Sequence, residues 1–202
     1  MGMPLPLYAK IKDRICISYL GESSEYVVQL NCLLPTIERA LNGIKIFICC
    51  KDELVNWFNN PRIFGHSKMT QKKNDFALIK PLKFNMRTHP VIGLLDDSNI
   101  VCEQINVPHC DPTTKCAICP KGLHPVKSMS YTQKETAIKM AIQQGFKPEI
   151  TTNVLNAGWV IGVESGPFYL AASKGIKTSL IPTGLGTPLY KKMFNGDILD
   201  LK

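Results

Sequence analysis

Short apolar segments alternate with amphipathic ones along most of the chain. Apolar runs of this kind are typical of buried strands, and the clearest lie at 14–20, 44–50, 115–120 and 159–164. Between them, segments such as 23–43 carry apolar residues at helical spacing and end at glycines. Strands that alternate with helices of this length predict an α/β fold, with a mostly parallel, Rossmann-like sheet or sheets and helices on both faces.

Other segments are less regular. Residues 59–74 are predicted as a loop, and Pro35 is expected to kink or split the first helix. The stretch 84–114 contains three prolines and one glycine and has little periodicity. We therefore predict a domain boundary near 95–112, with an N-terminal Rossmann-like half at 1–95 and a C-terminal half at 96–202.

Composition places the chain among ordinary globular proteins. Hydrophobic residues make up 45% and charged residues 20% of its 202 positions, which argues against extended disorder. No apolar run reaches the roughly 18 residues of a membrane span, and the opening residues lack the apolar core of a secretory signal. The expectation is a soluble, cytoplasmic protein.

The net charge of +8 bears on the partners of the protein. The two halves share the excess equally, with no basic tail, whereas nucleic-acid binders usually cluster their charge. No nucleic-acid partner is expected. A site for anionic small molecules explains the excess, and peripheral contact with anionic lipid is an alternative.

The turn that follows the strand at 159–164 is the sharpest candidate site. Ligands bind at the carboxyl ends of parallel strands, and here Glu164-Ser165-Gly166-Pro167 leads into a helix. Pro167 suits a first helical turn, and Gly166 allows a close approach to the backbone. The free N–H groups would favour a diphosphate, and Glu164 could bind the hydroxyls of a ribose. An ordinary strand-to-helix turn is the alternative.

This stretch resembles the donor-binding motif of family 9 glycosyltransferases, the heptosyltransferase group. Their pattern is a strand, then Asp-Ser-Gly-Pro-x-His, then Ala-Ala-x-Gly. Glu164 takes the acidic place, Tyr169 stands where the family has His, and the remaining matches are Ser165, Gly166, Pro167, Ala171, Ala172 and Gly175. The start is also similar, since Glu25 follows the first strand and its glycine where the family has an Asp.

The resemblance implies a shortened GT-B-type fold and roles for two further residues. Lys127 would neutralise the leaving diphosphate of a nucleotide sugar, and Glu25 would be the general base. No metal is implied, because the Asp-x-Asp signature of metal-dependent transferases is absent. On the residues alone, the alternative for Glu25 is a carboxylate at a helix start that the helix dipole stabilises, which is the commoner case for a lone glutamate, and the alternative for Lys127 is a solvated loop charge.

Two further groups of residues are candidates for binding. Gly184 and Gly186 follow the last strand, and we predict that their loop lies on the ligand side of the sheet. The other group is the set of possible ligands for a structural zinc, namely Cys110, Cys116, Cys119 and His124. Its spacing fits no standard finger, so zinc is the weaker alternative.

The function predicted from the sequence is metal-independent sugar transfer. The donor would be a nucleotide-diphosphate sugar and the acceptor a glycan or a lipid-linked molecule, as in surface polysaccharide assembly. The alternative is a non-catalytic nucleotide or nucleotide-sugar binding module of the same fold, and a zinc-stabilised interaction protein is a third. A homodimer is also considered, because a shortened two-lobed protein could complete its cleft by dimerising.

Overall fold

A computed structural model describes residues 13–83, 89–102, 104–105, 113–183, 187–194 and 196–201. The chain divides into two compact units. The first comprises Met1–Glu22 and Gln29–Glu103, and the second comprises Ser23–Val28 and Gln104–Lys202. The sequence placed a single division after residue 95, whereas here six residues near the N-terminus also group with the second unit.

The first unit is built on a four-stranded parallel sheet with the order β3-β2-β1-β4. Its strands are β1 Arg14–Ser18, β2 Lys45–Cys50, β3 Ile63–Gly65 and β4 Leu78–Pro81. Its helices are α1 Ser24–Ala40, whose first turn belongs to the second unit, α2 Asp52–Val55, α3 Met69–Lys72 and α4 Pro90–Asp97. Buried aliphatic side chains from β1, β2 and α1 form its core.

The second unit contains a five-stranded parallel sheet with the order β6-β5-β7-β8-β9. Its strands are β5 Lys115–Cys119, β6 Lys147–Ile150, β7 Trp159–Gly162, β8 Lys177–Leu180 and β9 Asp197–Ile198. Its helices are α5 Tyr131–Gln143, α6 Gly166–Ser173 and α7 Thr187–Met193. Every residue of β7 is buried, as its apolar sequence predicts for a central parallel strand. The predicted α/β class and parallel sheets are confirmed.

The structure differs from two local predictions and adds a helix in a stretch for which none was predicted. Helix α1 runs through Pro35 without a break, because it buries Leu30, Leu33 and Ile37 completely. A proline inside a helix costs about 3 kcal/mol, whereas each buried aliphatic side chain contributes about 1.5–3 kcal/mol. The predicted loop 59–74 contains β3 and α3, and the unpatterned stretch 84–114 contains α4, which begins at Pro90.

None of the helices in the described part of the chain is both long enough and apolar enough to cross a membrane.

Candidate functional site

The second sheet has a topological switch point between β5 and β7. These strands are neighbours, but the chain leaves β5 towards β6 on one side and leaves β7 towards β8 on the other. In open parallel sheets the loops diverge at such a point and leave a crevice at the carboxyl ends of the strands. The segments that follow β5 and β7 therefore flank the expected ligand position of this unit.

The segment after β5 is a closed loop that presents Lys127. Gly122 N–H donates to Lys127 C=O at 2.6 Å, and Met129 N–H donates to Pro120 C=O at 2.8 Å. A Cβ on Gly122 would lie 2.8 Å from both Glu164 C=O and Lys127 Cβ. Glycine is therefore required where this loop passes the end of β7.

The segment after β7 is the predicted turn into α6. Ser165 is the N-cap, and its Oγ accepts from Phe168 N–H at 3.4 Å, while Pro167 lies in the first turn. A Cβ on Gly166 would lie 1.8 Å from Ser24 Oγ, at the start of α1. The absent side chain thus lets the first turns of α1 and α6 meet within the second unit.

Lys127 joins two carboxylates at this position. Its Nζ lies 3.0 and 2.8 Å from the two carboxylate oxygens of Glu25, and 3.6 Å from Glu164 Oε2. The side chains of Glu25 and Glu164 are 3% and 0% exposed, and that of Lys127 is 13% exposed. The structure therefore brings together three residues predicted from the sequence, and Lys127 is not a solvated loop charge.

Glu164 is held from its other side by Thr187, the first residue of α7. Thr187 Oγ1 donates to Glu164 Oε1 at 2.6 Å. The second oxygen, Oε2, is buried and accepts no hydrogen bond from the described residues, so the ammonium of Lys127 at 3.6 Å is its nearest compensation. A buried carboxylate oxygen without a hydrogen bond is costly, which marks this as a place where a ligand donor would be accepted.

The net charge of the cluster opposes the direct approach of an anion. Two carboxylates share one ammonium, so the three side chains carry one more negative than positive charge. Glu25 lies in the first turn of α1, where the helix dipole stabilises a carboxylate. An anionic ligand at Lys127 would compete with both carboxylates for the ammonium. The arrangement can thus couple anion binding to the release of Glu25.

Tyr169 lies in the interior of the second unit and not at the surface. Its side chain is fully buried, and its ring contacts those of Phe168, Tyr190 and Phe194 at centroid distances between 5.9 and 6.3 Å. Burial raises the pKa of Tyr190 in this cluster to about 12. The aromatic cluster fixes α6 against α7, so Tyr169 has a packing role.

The remaining candidates are distributed as follows. Gly184 and Gly186 lie outside the described residues, and so does Cys110. Cys116 and Cys119 are buried in β5, where Cys119 Sγ donates to Thr151 C=O at 3.2 Å. Burial raises the pKa of both thiols to about 12, and His124 lies at the exposed tip of the loop after β5. Within the described ranges no three His, Cys, Asp or Glu side chains form a metal-binding group.

Sequence reasoning missed three residues of this site. Thr187 holds Glu164, Gly122 lets the lysine loop approach β7, and the ring of Tyr26 lies 5.9 Å from Lys127 Nζ. A threonine after a glycine-rich loop is a signal for a helix start. A glycine after a strand is a signal for a close approach to the backbone. Neither signal identifies the partner, which depends on residues distant in sequence.

Comparison with known proteins shows likeness in structure alone. No protein-family model matches the chain, and no curated protein is significantly similar to it in sequence. Among solved structures, the bacterial iron-containing dodecameric glycosyltransferase TibC of enterotoxigenic E. coli matches with a TM-score of 0.55 and 14% identity. That match covers 83% of this chain and 59% of TibC, so this chain spans about three fifths of the length of TibC.

Two further structures agree. TibC in complex with ADP-D-β-D-heptose matches with a TM-score of 0.56 and 14% identity, over 85% of this chain and 59% of TibC. A family 9 glycosyltransferase of Veillonella parvula matches with a TM-score of 0.53 and 11% identity, over 92% of this chain and 86% of that protein. The resemblance predicted from the Glu-Ser-Gly-Pro turn is confirmed at the level of the fold, which is that of GT-B-like glycosyltransferases.

Proposed function

We propose that this protein is a glycosyltransferase-like enzyme that uses a nucleotide-diphosphate sugar. The observation that carries the proposal is the buried cluster of Lys127, Glu25 and Glu164 at the switch point of the second sheet. A neighbour in fold, TibC, is known in complex with ADP-D-β-D-heptose, which makes nucleotide sugars the first ligand class to consider.

In the proposed complex the diphosphate binds Lys127 near the N-terminus of α6. Phe168 N–H already donates to Ser165 Oγ and Pro167 has no N–H, so the helix contributes mainly through its dipole. The ammonium leaves Glu25 for the phosphate oxygens, and the helix N-terminus adds its positive end. Glu164 stays behind Lys127, anchored by Thr187, and a ribose hydroxyl could donate to its unsatisfied Oε2. These groups take the charge of the leaving diphosphate, so the transfer as proposed needs no metal.

Glu25 then serves as the general base. It takes the proton of an acceptor hydroxyl as the oxygen forms a bond to the anomeric carbon, and the bond from that carbon to the diphosphate breaks. The products are the glycosylated acceptor, a nucleoside diphosphate and a protonated Glu25, so atoms and charge balance. We propose a glycan or a lipid-linked molecule as the acceptor. We also propose a cytoplasmic location, because the cysteines of the described residues are all free thiols.

The test is a calorimetric titration of UDP, GDP, ADP and CMP into the wild-type protein, the Lys127→Ala variant and a Lys139→Ala control. Lys139 is exposed on α5, so its loss removes one positive charge without touching the buried cluster. One nucleotide should bind saturably, and Lys127→Ala should weaken it by about tenfold or more, because a charged hydrogen bond contributes about 1.5–3 kcal/mol. Absence of binding to all four, or equal effects of both variants, would refute the proposal.

The ion pair between Glu25 and Lys127 favours a second candidate function. Lys127 engages both oxygens of this carboxylate. If a nucleotide sugar bound while Lys127 kept this contact, Glu25 would stay paired and could not accept a proton, so the protein would bind the nucleotide sugar without transferring it. Such a protein would be a binding module of the same fold. Release of nucleoside diphosphate from a donor and acceptor mixture distinguishes the two, because the module binds the donor and releases nothing.

A further inference from the structure

The loop that carries Lys127 also exposes apolar side chains. Leu123 and Val126 at its tip are 65% and 68% exposed, and Tyr131, directly after the loop, is 72% exposed. Single exposed apolar residues are common on protein surfaces, but a group of them close together indicates an interaction site.

Hydrogen bonds within the loop hold this tip in solvent. Lys127 N–H donates to His124 C=O at 2.8 Å, Gly122 N–H donates to Lys127 C=O, and Lys121 pairs with Ser128 in an antiparallel bridge. Lys127 itself is anchored at Glu25, so the loop is fixed at its base. Leu123 and Val126 cannot turn inward without breaking these contacts, and their exposure is a property of the fold.

The exposed charge of the loop is positive but small. Residues 120–134 include three lysines and no aspartate or glutamate, and Glu135 follows. Lys127 is largely buried against Glu25, so Lys121 and Lys134 carry the charge of this segment. Lys121 and His124 are exposed, and the ammonium of Lys134 lies 5.5 Å from the ring centroid of Tyr131. Aliphatic side chains with an adjacent tyrosine and lysines match the layers of a lipid–water interface, where apolar groups enter the acyl boundary and cations face phosphates.

We infer that the segment 121–134 docks this protein onto an anionic lipid membrane. Leu123 and Val126 enter the acyl boundary, Tyr131 lies at the headgroup level, and Lys121 and Lys134 face lipid phosphates. The contact is peripheral. It goes beyond the proposed function and does not depend on nucleotide binding, although it would bring a lipid-linked acceptor beside Lys127 if that function is correct.

The test is sedimentation with vesicles of phosphatidylcholine alone and of phosphatidylcholine mixed with phosphatidylglycerol. The wild-type protein should sediment with the mixed vesicles and much less with the neutral ones. A Leu123→Ser, Val126→Ser double variant should bind the mixed vesicles about tenfold more weakly, given the apolar surface it removes. Leu155→Ser is the matched control, because Leu155 is 56% exposed outside this segment, and it should bind like the wild type.

A second variant reports the depth of insertion. Val126→Trp should give a blue-shifted fluorescence increase with mixed vesicles, compared with the wild-type background from Trp57 and Trp159. Equal binding of wild type and double variant to vesicles would overturn the inference, as would self-association that the double variant abolishes. Nucleotide titration of the double variant separates the two proposals, since unaltered nucleotide affinity beside lost vesicle binding assigns the loss to the loop alone.

Discussion

Lys127 and Glu25 are 102 positions apart in sequence, yet the ammonium of Lys127 lies within 3.0 Å of both oxygens of the Glu25 carboxylate. Both side chains are largely buried. Buried ion pairs contribute little net stability, because desolvation offsets most of the attraction between the charges. The pair therefore makes more sense as a site in which one anion substitutes for another than as a device for stability.

The first prediction concerns the replacement of the Glu25 carboxylate by an anionic ligand at Lys127. Glu25→Gln removes the carboxylate that competes for Lys127, so nucleoside diphosphate should bind about fivefold to tenfold more tightly, which corresponds to about 1 kcal/mol. Sugar transfer should be lost, because the amide accepts no proton from an acceptor. Calorimetry and an assay for released nucleoside diphosphate measure the two effects.

Glu22→Gln is the control for that experiment. Glu22 pairs with Lys51 at 2.9 Å in an exposed position, so its loss should change neither affinity nor transfer. Weaker nucleotide binding in Glu25→Gln would mean that Glu25 orients Lys127 for the ligand and does not compete with it.

The second prediction concerns folding. Lys127→Met leaves Glu25 and Glu164 buried without their cation, and removal of one partner of a buried pair typically costs 3–5 kcal/mol. The thermal unfolding midpoint should fall by several degrees. Lys51→Met, which breaks only an exposed pair, should leave the midpoint unchanged.

A double variant makes this test specific. Addition of Glu25→Gln to Lys127→Met removes one of the two stranded charges, so the midpoint should recover in part. If the two substitutions were simply additive, the ion pair would not be the cause of the loss.

The third prediction concerns the meeting of α1 and α6. In Gly166→Ala the new methyl group would clash with Ser24 Oγ and lie 2.9 Å from Ser24 Cβ, so the Ser24 hydroxyl must rotate and the two helix starts must separate slightly. Overpacking of this kind costs about 1–3 kcal/mol. Addition of Ser24→Ala clears the shorter contact and should restore part of the lost stability, measured by thermal unfolding. A Gly166→Ala variant as stable as the wild type would show that the helix starts are free to separate.

The fourth prediction concerns alkaline pH. Burial raises the pKa of Cys116 and Cys119 from 9.0 to about 12, so these thiols stay neutral in the folded protein while they ionise in the unfolded chain. The unfolded state then binds fewer protons, and the free energy of unfolding should fall as pH rises from about 9 to about 12. Below pH 9 these two groups should contribute no slope.

Urea unfolding of the wild type and of a Cys116→Ala, Cys119→Ala variant at pH 8 and at about pH 10.5 measures that slope. The variant should lose less stability than the wild type between the two pH values. Equal losses would assign the alkaline destabilisation to other groups, of which Cys16 and Cys50 are the first candidates because burial raises the pKa of each thiol from 9.0 to about 12.

The local pattern of the sequence predicted much of the fold and the position of the site. Parallel strands end at one edge of their sheet, so a strand followed by Ser165 and a loop that contains Lys127 could be assigned to the same edge. Strand β7 was recognised because all its side chains are apolar. Helix α4 was missed because eight residues beginning at Pro90 are too few to establish a helical period.

The contacts that complete the site could not be predicted in the same way. That Lys127 pairs with Glu25, and Thr187 with Glu164, depends on how distant segments pack, and no local pattern encodes it. Helix α1 shows the opposite error. Pro35 is a strong local signal for a break, but the burial of the helix face around it outweighs that signal.

The division of the chain has a practical consequence for anyone who would study the second unit by itself. Residues Ser23–Val28 group with a unit whose other residues begin only at Gln104. A fragment that begins at residue 104 would retain Lys127 and Glu164 but lose Glu25. It would also lose the first turn of α1, which packs against Gly166. In such a fragment Lys127 would keep Glu164 but lack Glu25 as a counter-ion. The ligand affinity measured for the fragment would therefore differ from that of the whole protein.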